Sequence, residues 1–441
     1  MESPAPERSP YSSTYRAPEQ GAAILIRNAT VLTGTGVRID GGDVLLTDGR
    51  ITAVGQQLQA PAGAQVIDAS SRWVTPGLID VHSHLGVYPT PQLRAHSDGN
   101  EATDPVTAGV WAEHSLWPQD PGFERALEGG VTSMQILPGS ANLIGGRGVT
   151  VKNVWATTYQ AMKFPGAKQG LKMACGENPK RVYGGRQKSP STRMGNVAGY
   201  RQAFADAQDY MAQWKEHEAK LAVFKAGTKP DATPPKPPKR DLRLESLAAA
   251  MQGELLVHNH CYRADEMAIM LDLASEFGFK ISAFHHGVEA YKLADRLAAE
   301  GVCGALWADW WGFKLEAYDG IQENIALVDY PAGGCAIVHS DSSEGIQRLN
   351  QEAAKAMTRG LRAGLDIAPE RAIRWVTSNA ARSLGIDAQT GTLEAGKMAD
   401  VVIWNGSPFS VYALTDQVFV DGVLRFDRSR PAPTPRSDFE L

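Results

Sequence analysis

The stretch VTPGLIDVHSH occupies residues 74–84 and decides the fold. Its apolar run at residues 78–81 predicts a buried β-strand, and a His-Ser-His motif follows that strand directly. In extended chain, residues two apart project from the same face, so His82 and His84 can both reach one metal ion. An isolated motif of this kind also fits two hydrogen-bonded or solvent-facing histidines. The metal prediction therefore needs support from elsewhere in the chain.

Three further apolar runs end in groups that bind metals or transfer protons, namely His258 and His260, His285 and His286, and His339 and Asp341. Residues 264–277 and 289–300 have apolar positions at helical spacing, so strand and helix signals alternate through this region. Repeated βα units predict a parallel sheet, open or closed. In a β/α barrel the carboxyl ends of the strands meet on one face. Five groups are therefore predicted to meet there: His82, His84, His260, His286 and Asp341.

Strand alternation extends this prediction to three neighbouring histidines. His258 shares the side of His260, and His339 shares the side of Asp341, so both are predicted to contact substrate. His285 is predicted to face away from His286, in the core or behind the site.

Short β-branched runs with hairpin turns such as Asp48-Gly49 and Asp421-Gly422 occur near both ends of the chain. Because chain termini often lie close together, the two segments are predicted to form one small domain. The predicted division is a flexible tail at 1–21, a composite β-sandwich domain from 22–72 plus 392–430, a barrel at 73–391 with a Pro-rich insertion near 226–240, and a C-terminal tail at 431–441.

The chain has 441 residues, with 44 basic and 49 acidic side chains and a net charge of −5. This mild acidity argues against a nucleic-acid partner, which needs a basic surplus. No apolar run approaches the roughly 20 residues that a membrane span requires. The four cysteines form no CxxC pair, so neither a zinc ribbon nor a disulfide scaffold is indicated. The polar start could be native or could follow a removed export signal, so a cytoplasmic and a periplasmic location both stay open.

Two stretches make the chain resemble the amidohydrolase superfamily: VTPGLIDVHSH at 74–84 and GTLEAGKMADVV at 391–402. RADEM at 263–267 and HGVEAY at 286–291 are similar to its imidazolonepropionase-like and peptidase-like branch. The resemblance spans residues 22–428. It implies an α/β fold, a metal-dependent (β/α)8 TIM-type barrel with a composite β-sandwich, and hydrolysis of an amide, peptide or cyclic amide bond.

The resemblance also implies a ligand set. His82 and His84 match the ligands of the first barrel strand, His260 and His286 those of strands 5 and 6, and Asp341 the aspartate of strand 8. The bridging ligand is predicted within residues 171–178, LKMACGEN. Glu177 is preferred because it ends the predicted strand. Lys172 is the alternative, and it can bridge only if carbamylated.

These roles predict one or two divalent metal ions, zinc first, with manganese, iron and cobalt as alternatives. A metal-activated hydroxide would attack the carbonyl, with Asp341 as general base and then general acid. Substrate contacts are predicted for His258, His339, Tyr183, Arg147 and Trp310. Arg147 belongs to the Gly-rich stretch 140–148, which we interpret as a backbone approach to substrate or a tight βα turn, because the Lys-Ser/Thr pair of a P-loop is missing.

Three functions compete at this point. The first is cleavage of an amide or peptide bond in a small molecule or short peptide. The second is a deaminase or a cyclic-amide hydrolase of the imidazolonepropionase kind, which would use nearly the same ligands on a planar ring. The third is a noncatalytic barrel scaffold, disfavoured because the expected ligand positions are filled. A homo-oligomer is expected on the resemblance alone.

Overall fold

The computed structural model describes residues 10–227 and 233–430. Five strands precede the barrel: β1 (Ile24–Leu32), β2 (Arg38–Thr47), β3 (Arg50–Gly55), β4 (Gln65–Asp68) and β5 (Trp73–Pro76). The barrel strands are β6 (Leu78–Ser83), β7 (Val131–Ile136), β8 (Ile144–Lys152), β9 (Gly170–Ala174), β10 (Leu256–Cys261), β11 (Ile281–His286), β12 (Cys303–Leu306) and β13 (Ala336–Val338). Three strands follow it: β14 (Val401–Trp404), β15 (Thr415–Val420) and β16 (Val423–Asp427).

The barrel sheet runs in sequence order from β6 to β13, and its ends nearly meet. Asp341 donates its backbone N–H to the carbonyl of His82 across the remaining gap, at 3.0 Å. The neighbouring strands are parallel except around β8, which is antiparallel to both β7 and β9. The predicted barrel is confirmed, with this one departure from an all-parallel arrangement.

The length of one connection explains the antiparallel strand. Only seven residues, 137–143, join β7 to β8, whereas a parallel crossover needs a dozen or more. The chain therefore turns back directly. The Gly-rich stretch 140–148, interpreted above as a substrate loop or a βα turn, is instead the end of this connection and the first half of β8.

The helices lie mainly on the outside of the barrel. They are α1 (Gly122–Glu128), α2 (Tyr159–Met162), α3 (Glu177–Gly184), α4 (Arg193–Lys225), α5 (Leu242–Met251), α6 (Ala264–Phe277), α7 (Ala294–Glu300), α8 (Asn324–Asp329), α9 (Leu349–Arg362), α10 (Pro369–Ala372) and α11 (Ser378–Ser383). The helix predicted at 264–277 matches α6, which ends where Gly278 adopts a left-handed φ of 75°. The helix predicted at 289–300 is divided into a 3-10 turn, Ala290–Leu293, and α7. None of the described helices combines the length and the hydrophobicity that crossing a bilayer requires.

The second sheet is built from both ends of the chain, as predicted. Its strands follow the order β16-β15-β14-β5-β1-β2-β3, with β4 paired to β1. A separate apolar core forms under it from residues of both segments, including Ile26, Val44, Ile403 and Phe419. The fold class is therefore confirmed: a barrel plus a composite β domain.

The first described residues contact the barrel and the second sheet. Ser13 Oγ donates to the carbonyl of Lys163 at 2.7 Å, and the Tyr15 hydroxyl donates to the Asp421 carboxylate. Asp421 also pairs at 2.6 Å with Lys152, a fully buried lysine of β8. The described part of the predicted flexible tail is thus fixed to the folded body. Residues 1–9, 228–232 of the Pro-rich insertion, and 431–441 lie outside the described residues.

The four cysteines are paired in the structure, contrary to the interpretation from spacing. Cys175 bonds Cys261 beside the ends of β9 and β10, and Cys303 on β12 bonds Cys335 just before β13. The partners are 86 and 32 residues apart. Adjacent strands bring them together, a proximity that local spacing patterns do not reveal.

Candidate metal centre

Three side chains converge where β6 ends and β13 leads into its loop. His82 Nε2 lies 3.3 Å from His84 Nε2 and 3.4 Å from Asp341 Oδ1. His84 Nε2 lies 3.1 Å from the same carboxylate oxygen. The three ligands predicted from strands 1 and 8 therefore meet at one point.

Hydrogen bonding fixes which nitrogen of His84 carries the proton. Its Nδ1 is 2.8 Å from the carbonyl oxygen of Leu137, which can only accept. In the neutral ring, Nδ1 is then the donor, and Nε2 presents a lone pair towards Asp341. Orientation of a ligating imidazole by a backbone carbonyl is a common feature of metal sites.

A chain of buried imidazoles orients His82 in the same way. His82 Nδ1 is 2.8 Å from His285 Nδ1, and His285 Nε2 is 2.9 Å from His258 Nδ1. Two assignments of neutral rings satisfy both contacts, and in one of them His82 donates to His285 and His285 donates to His258. That assignment leaves the Nε2 lone pair of His82 free. Burial, followed by the charge of Lys172, holds the pKa of His82 well below its usual value, which keeps the ring neutral.

His285 lies buried behind the ligand His82, as predicted, but it faces the barrel interior and not the opposite side of its strand. His285 is in register with His260 on the neighbouring strand, so both face the barrel interior. His286 also turns inwards because its φ is 73°, a left-handed value that breaks the alternation. Asp341 has a φ of 52°. Strained backbone at two site residues is typical of functional positions.

His260 and His286 lie beside the three converging ligands. Their rings are 4.6 Å apart, and His286 Nδ1 is 3.9 Å from Asp341 Oδ2. Burial is the main cause that holds the pKa of both rings well below the usual value, so both are neutral and can bind a cation. Asn178 Nδ2 lies 3.4 Å from His260 Nε2.

Lys172, rather than Glu177, lies among these histidines. Lys172 Nζ is 3.2 Å from His82 Nε2, and the residue is in register with His258. Burial lowers the pKa of Lys172 to about 7, and the charge of Asp341 opposes that shift only in part. Glu177 begins α3 at the rim, where its carboxylate is 3.8 Å from Lys314 Nζ. No described contact joins Glu177 to the histidines.

His258 and His339 are inside the barrel, but both are already engaged by protein groups. His258 is fully buried behind His285, as described above. His339 Nε2 accepts the backbone N–H of His286 at 3.2 Å. Burial is the main cause that lowers the pKa of His258 to about 3 and that of His339 to about 4. Their contribution in this geometry is to orient the site, and substrate contact by either remains a prediction.

Two of the predicted substrate contacts lie elsewhere. The Tyr183 hydroxyl donates to the carbonyl of Asp104 at 2.7 Å and accepts from Asn142 at 2.9 Å. Arg147 Nε donates to Ser246 Oγ at 2.8 Å, and its guanidinium lies 4.6 Å from the ring of Trp111. The structure brings neither side chain to the histidines.

A cavity of about 620 Å³ opens directly onto His84 and Asp341. Trp310, a predicted substrate contact, lines it and stacks on Trp307 with ring centroids 5.2 Å apart. The sequence reasoning missed other side chains of this wall, which come from the loop after β6 and include Tyr88, Leu93, Arg94 and His96. Their position just after the His-Ser-His motif is the signal that could have found them, because loops after barrel strands build active sites.

Asp80 was also missed, although it precedes His82 by two residues and so shares its side of the strand. Its carboxylate accepts the backbone N–H of His82 at 3.1 Å and that of Ser340 at 3.2 Å, and it also accepts the Ser340 hydroxyl. Asp80 thereby ties β6 to the residue before Asp341. Burial raises the pKa of Asp80 to about 7, against these hydrogen bonds.

This raised pKa predicts a pH-dependent stability. The folded chain keeps the Asp80 proton up to about pH 7, whereas the unfolded chain loses it near pH 4. The stabilisation is therefore complete below pH 4 and is lost as the pH rises to 7. We expect the free energy of unfolding of the wild type, relative to Asp80→Asn, to fall by roughly 2 to 4 kcal/mol between pH 5 and 8. Urea titrations at several pH values would measure it. A difference that is constant with pH, or one that the exposed Asp387→Asn reproduces, would contradict the assignment.

Comparison with known proteins agrees with this fold. A sequence model of the Amidohydrolase family matches residues 331–425. The crystal structure of an amidohydrolase from Thermotoga maritima is 36% identical, covers 92% of this chain and 100% of its own, and superposes with a TM-score of 0.80. Amidohydrolase tasK of Hapsidospora irregularis is 34% identical over 92% of this chain but only 43% of its own length. The imidazolonepropionase of Mesorhizobium japonicum is 25% identical over 86% of this chain and 91% of its own.

The chain belongs to the amidohydrolase family, as the Thermotoga maritima relative covers it almost completely. It spans less than half the length of the tasK protein.

Proposed function

We propose that the chain is a metal-dependent hydrolase that cleaves the C–N bond of an amide or peptide in a small molecule. The observation that carries the proposal is the convergence of His82 Nε2, His84 Nε2 and Asp341 Oδ1 within 3.1 to 3.4 Å. When His84 Nδ1 donates to the carbonyl of Leu137, His84 Nε2 and Asp341 Oδ1 both present lone pairs, and these two atoms lie 3.1 Å apart. Such a set is favourable when a cation lies between its members.

The donor set fits a divalent metal. Four imidazoles and a carboxylate suit zinc, and manganese, iron or cobalt accept similar ligands. The Nδ1 atoms of His260 and His286 are buried without a hydrogen-bond partner in the described part of the chain, a costly state that a bound cation relieves. We propose His82, His84, His260, His286 and Asp341 as ligands, with one or two ions bound.

We propose Lys172 as the bridging group, in place of Glu177. A neutral lysine amine adds to carbon dioxide and loses a proton, which gives a carbamate with two oxygen ligands. Its Nζ is 3.2 Å from His82 Nε2 and it is buried, whereas Glu177 contacts Lys314 at the rim.

Asp341 has the position for both proton transfers of the reaction. When bound, the metal supplies Lewis acidity that acidifies water and polarises the substrate carbonyl. Asp341 then accepts the proton of the attacking water and delivers it to the departing nitrogen. Asp80 and Ser340 hold the backbone beside Asp341, and the His82–His285–His258 chain holds the ring of the first ligand in place. Fixed groups of this kind need no rearrangement during the reaction.

Hydrolysis at a ring is the second candidate, and the relatives favour it. A 5-methylthioadenosine/S-adenosylhomocysteine deaminase of Moorella thermoacetica is 24% identical over 86% of this chain. The imidazolonepropionase named above has nearly the same identity, 25%, over the same share of this chain. Deamination releases ammonia, opening of a cyclic amide releases no second product, and cleavage of a linear amide releases an amine.

Metal removal and product analysis test the proposal together. We expect chelator treatment to abolish turnover, and zinc, manganese or cobalt to restore it. A panel of N-acyl amino acids, dipeptides, adenosine and imidazolonepropionate, assayed for ammonia, for free amine and for loss of the intact ring substrate, separates the two candidates. Undiminished turnover in protein shown by elemental analysis to be metal-free would contradict the mechanism. Ammonia without amine would favour the deaminase.

A further inference from the structure

The ring of His286 is held differently from the other imidazoles of the proposed ligand set. Each of the other three has a ring nitrogen within hydrogen-bond distance of a protein group, as described above. The described residues offer no such partner to the ring of His286, whose Nδ1 is buried and 3.9 Å from Asp341 Oδ2. An aromatic face lies against it instead. The ring centroids of His286 and Trp307 are 4.3 Å apart, with an angle of 28° between the planes.

Trp307 is itself fixed in position. It follows β12 directly, and only 8% of its surface is exposed. Its Nε1 donates to the carbonyl of Ser340 at 3.1 Å, and the ring of Trp310 stacks on it with centroids 5.2 Å apart. A side chain that is held by packing and by a hydrogen bond can in turn fix the ring that lies against it.

The stacking of Trp307 on His286 favours the metal-bound state of the site. The face of an indole is electron-rich, and it attracts a positive charge within about 6 Å of its centroid. An imidazole that binds a divalent ion gains positive charge, so it is attracted to the indole more strongly than the free imidazole is. Apolar packing alone would stabilise both states alike.

A second aromatic ring, that of Tyr262, contacts the same imidazole less closely. Its centroid is 5.4 Å from that of His286, and the ammonium of Lys314 already lies 4.0 Å from the Tyr262 centroid. That ammonium occupies the electron-rich ring and repels a second positive charge beside it. Trp307 has the neutral ring of Trp310 as its stacking neighbour, so it is the better partner for a charged imidazole.

We propose that Trp307 is a positioning residue of the metal centre: its indole holds the ring of His286 and raises the affinity of the site for a divalent cation. This inference rests on the proposed function, since it concerns the same metal centre. It assigns to an aromatic side chain the role that hydrogen-bonding groups have at the other three imidazoles. Loss of such a supporting group typically lowers metal affinity about 10- to 100-fold.

Titration of the metal-free full chain with Co²⁺, followed by the visible absorption of the bound ion, tests the inference without any substrate. We expect Trp307→Leu to raise the Kd for Co²⁺ about 10-fold or more. Trp307→Phe keeps an aromatic face and should stay within about threefold of the wild type. The matched control is Trp311→Leu, the same change in the same loop at a tryptophan that is 39% exposed, and it should leave the Kd unchanged.

Tryptophan fluorescence gives an answer even where Trp307→Leu does not fold. Bound Co²⁺ quenches the emission of a nearby tryptophan, and among the described residues Trp307 is the tryptophan whose ring contacts a proposed ligand. We expect Co²⁺ to quench the wild type and Trp311→Leu, and to quench Trp307→Phe much less. Equal quenching in all three proteins would contradict the proposed contact.

Three results of the titration would overturn the inference: an unchanged Kd in Trp307→Leu, an equal loss of affinity in Trp307→Phe, or the same loss in Trp311→Leu. Each of them leaves the proposed function in place, because the wild type binds Co²⁺ in all three cases. A wild type that binds no Co²⁺ would contradict the proposed function, and the inference with it.

Discussion

Asp341→Asn is expected to lower kcat by about 10³-fold or more while most of the metal stays bound. General acid–base catalysis contributes about 10² to 10⁴ in rate, and Asp341 is the carboxylate that lies within 3.1 to 3.4 Å of two proposed ligands. The amide of asparagine keeps an oxygen for the metal, but it cannot accept a proton at neutral pH. Steady-state kinetics and elemental analysis on the same preparation would measure both quantities.

The matched control for this variant is Asp309→Asn. Asp309 follows β12 and pairs with Lys355 at 2.8 Å, and no described contact joins it to the histidines. It should keep activity within a few-fold. Full activity in Asp341→Asn would remove Asp341 as the proton-transfer group. Loss of metal in step with activity would reduce its role to that of a ligand.

Lys172→Ala and Glu177→Gln are expected to differ by about 10²-fold or more in activity. If Lys172 bridges the metals as a carbamate, its removal leaves a buried site without the shared carboxylate, so both metal content and turnover fall. Glu177 lies beside Lys314 at the rim, and its replacement should leave metal content unchanged.

Addition of a short carboxylate, such as formate or acetate, to Lys172→Ala should restore part of the metal content and turnover, because it supplies the missing oxygens. The opposite ranking of the two variants would return the bridge to Glu177. Equal loss in both would mean that neither residue has a separate role.

The main features of the site could be predicted from two rules. Every second residue of a strand lies on the same face, and the carboxyl ends of barrel strands meet at one end of the barrel. His82 and His84 meet because they are two apart in β6, and the same rule, applied backwards, would have found Asp80. The meeting of β6 with β13 is a property of barrels in general, and it brings Asp341 to the two histidines.

Other features depend on backbone geometry that a residue pattern does not encode. The left-handed φ of His286 places it inside the barrel beside His285, so alternation fails at that residue. Lys172 was considered too early in its strand to bridge. Its register with His258 sets it level with the buried imidazoles, and register requires knowledge of the partner strand.

The direction of β8 decides where the side chain of Arg147 lies. A Gly-rich segment that follows a strand can form a phosphate-binding loop, a tight turn or a further strand. Here only the shortness of the connection from β7, seven residues, favours an antiparallel strand. On that strand Arg147 reaches Ser246 and Trp111 instead of the cavity.

The sheet assembled from both chain ends has a consequence for biosynthesis. One edge of β5 pairs with β1, which is synthesised before it. The other edge pairs with β14, which is synthesised about 325 residues later. At translation rates of about 5 to 20 residues per second, that edge is open for roughly 16 to 65 s on the ribosome. Unpaired strand edges recruit other chains. A nascent chain whose synthesis stops within the barrel therefore exposes an unpaired edge of β5 that can pair with other chains. Synthesis of β14 covers this edge.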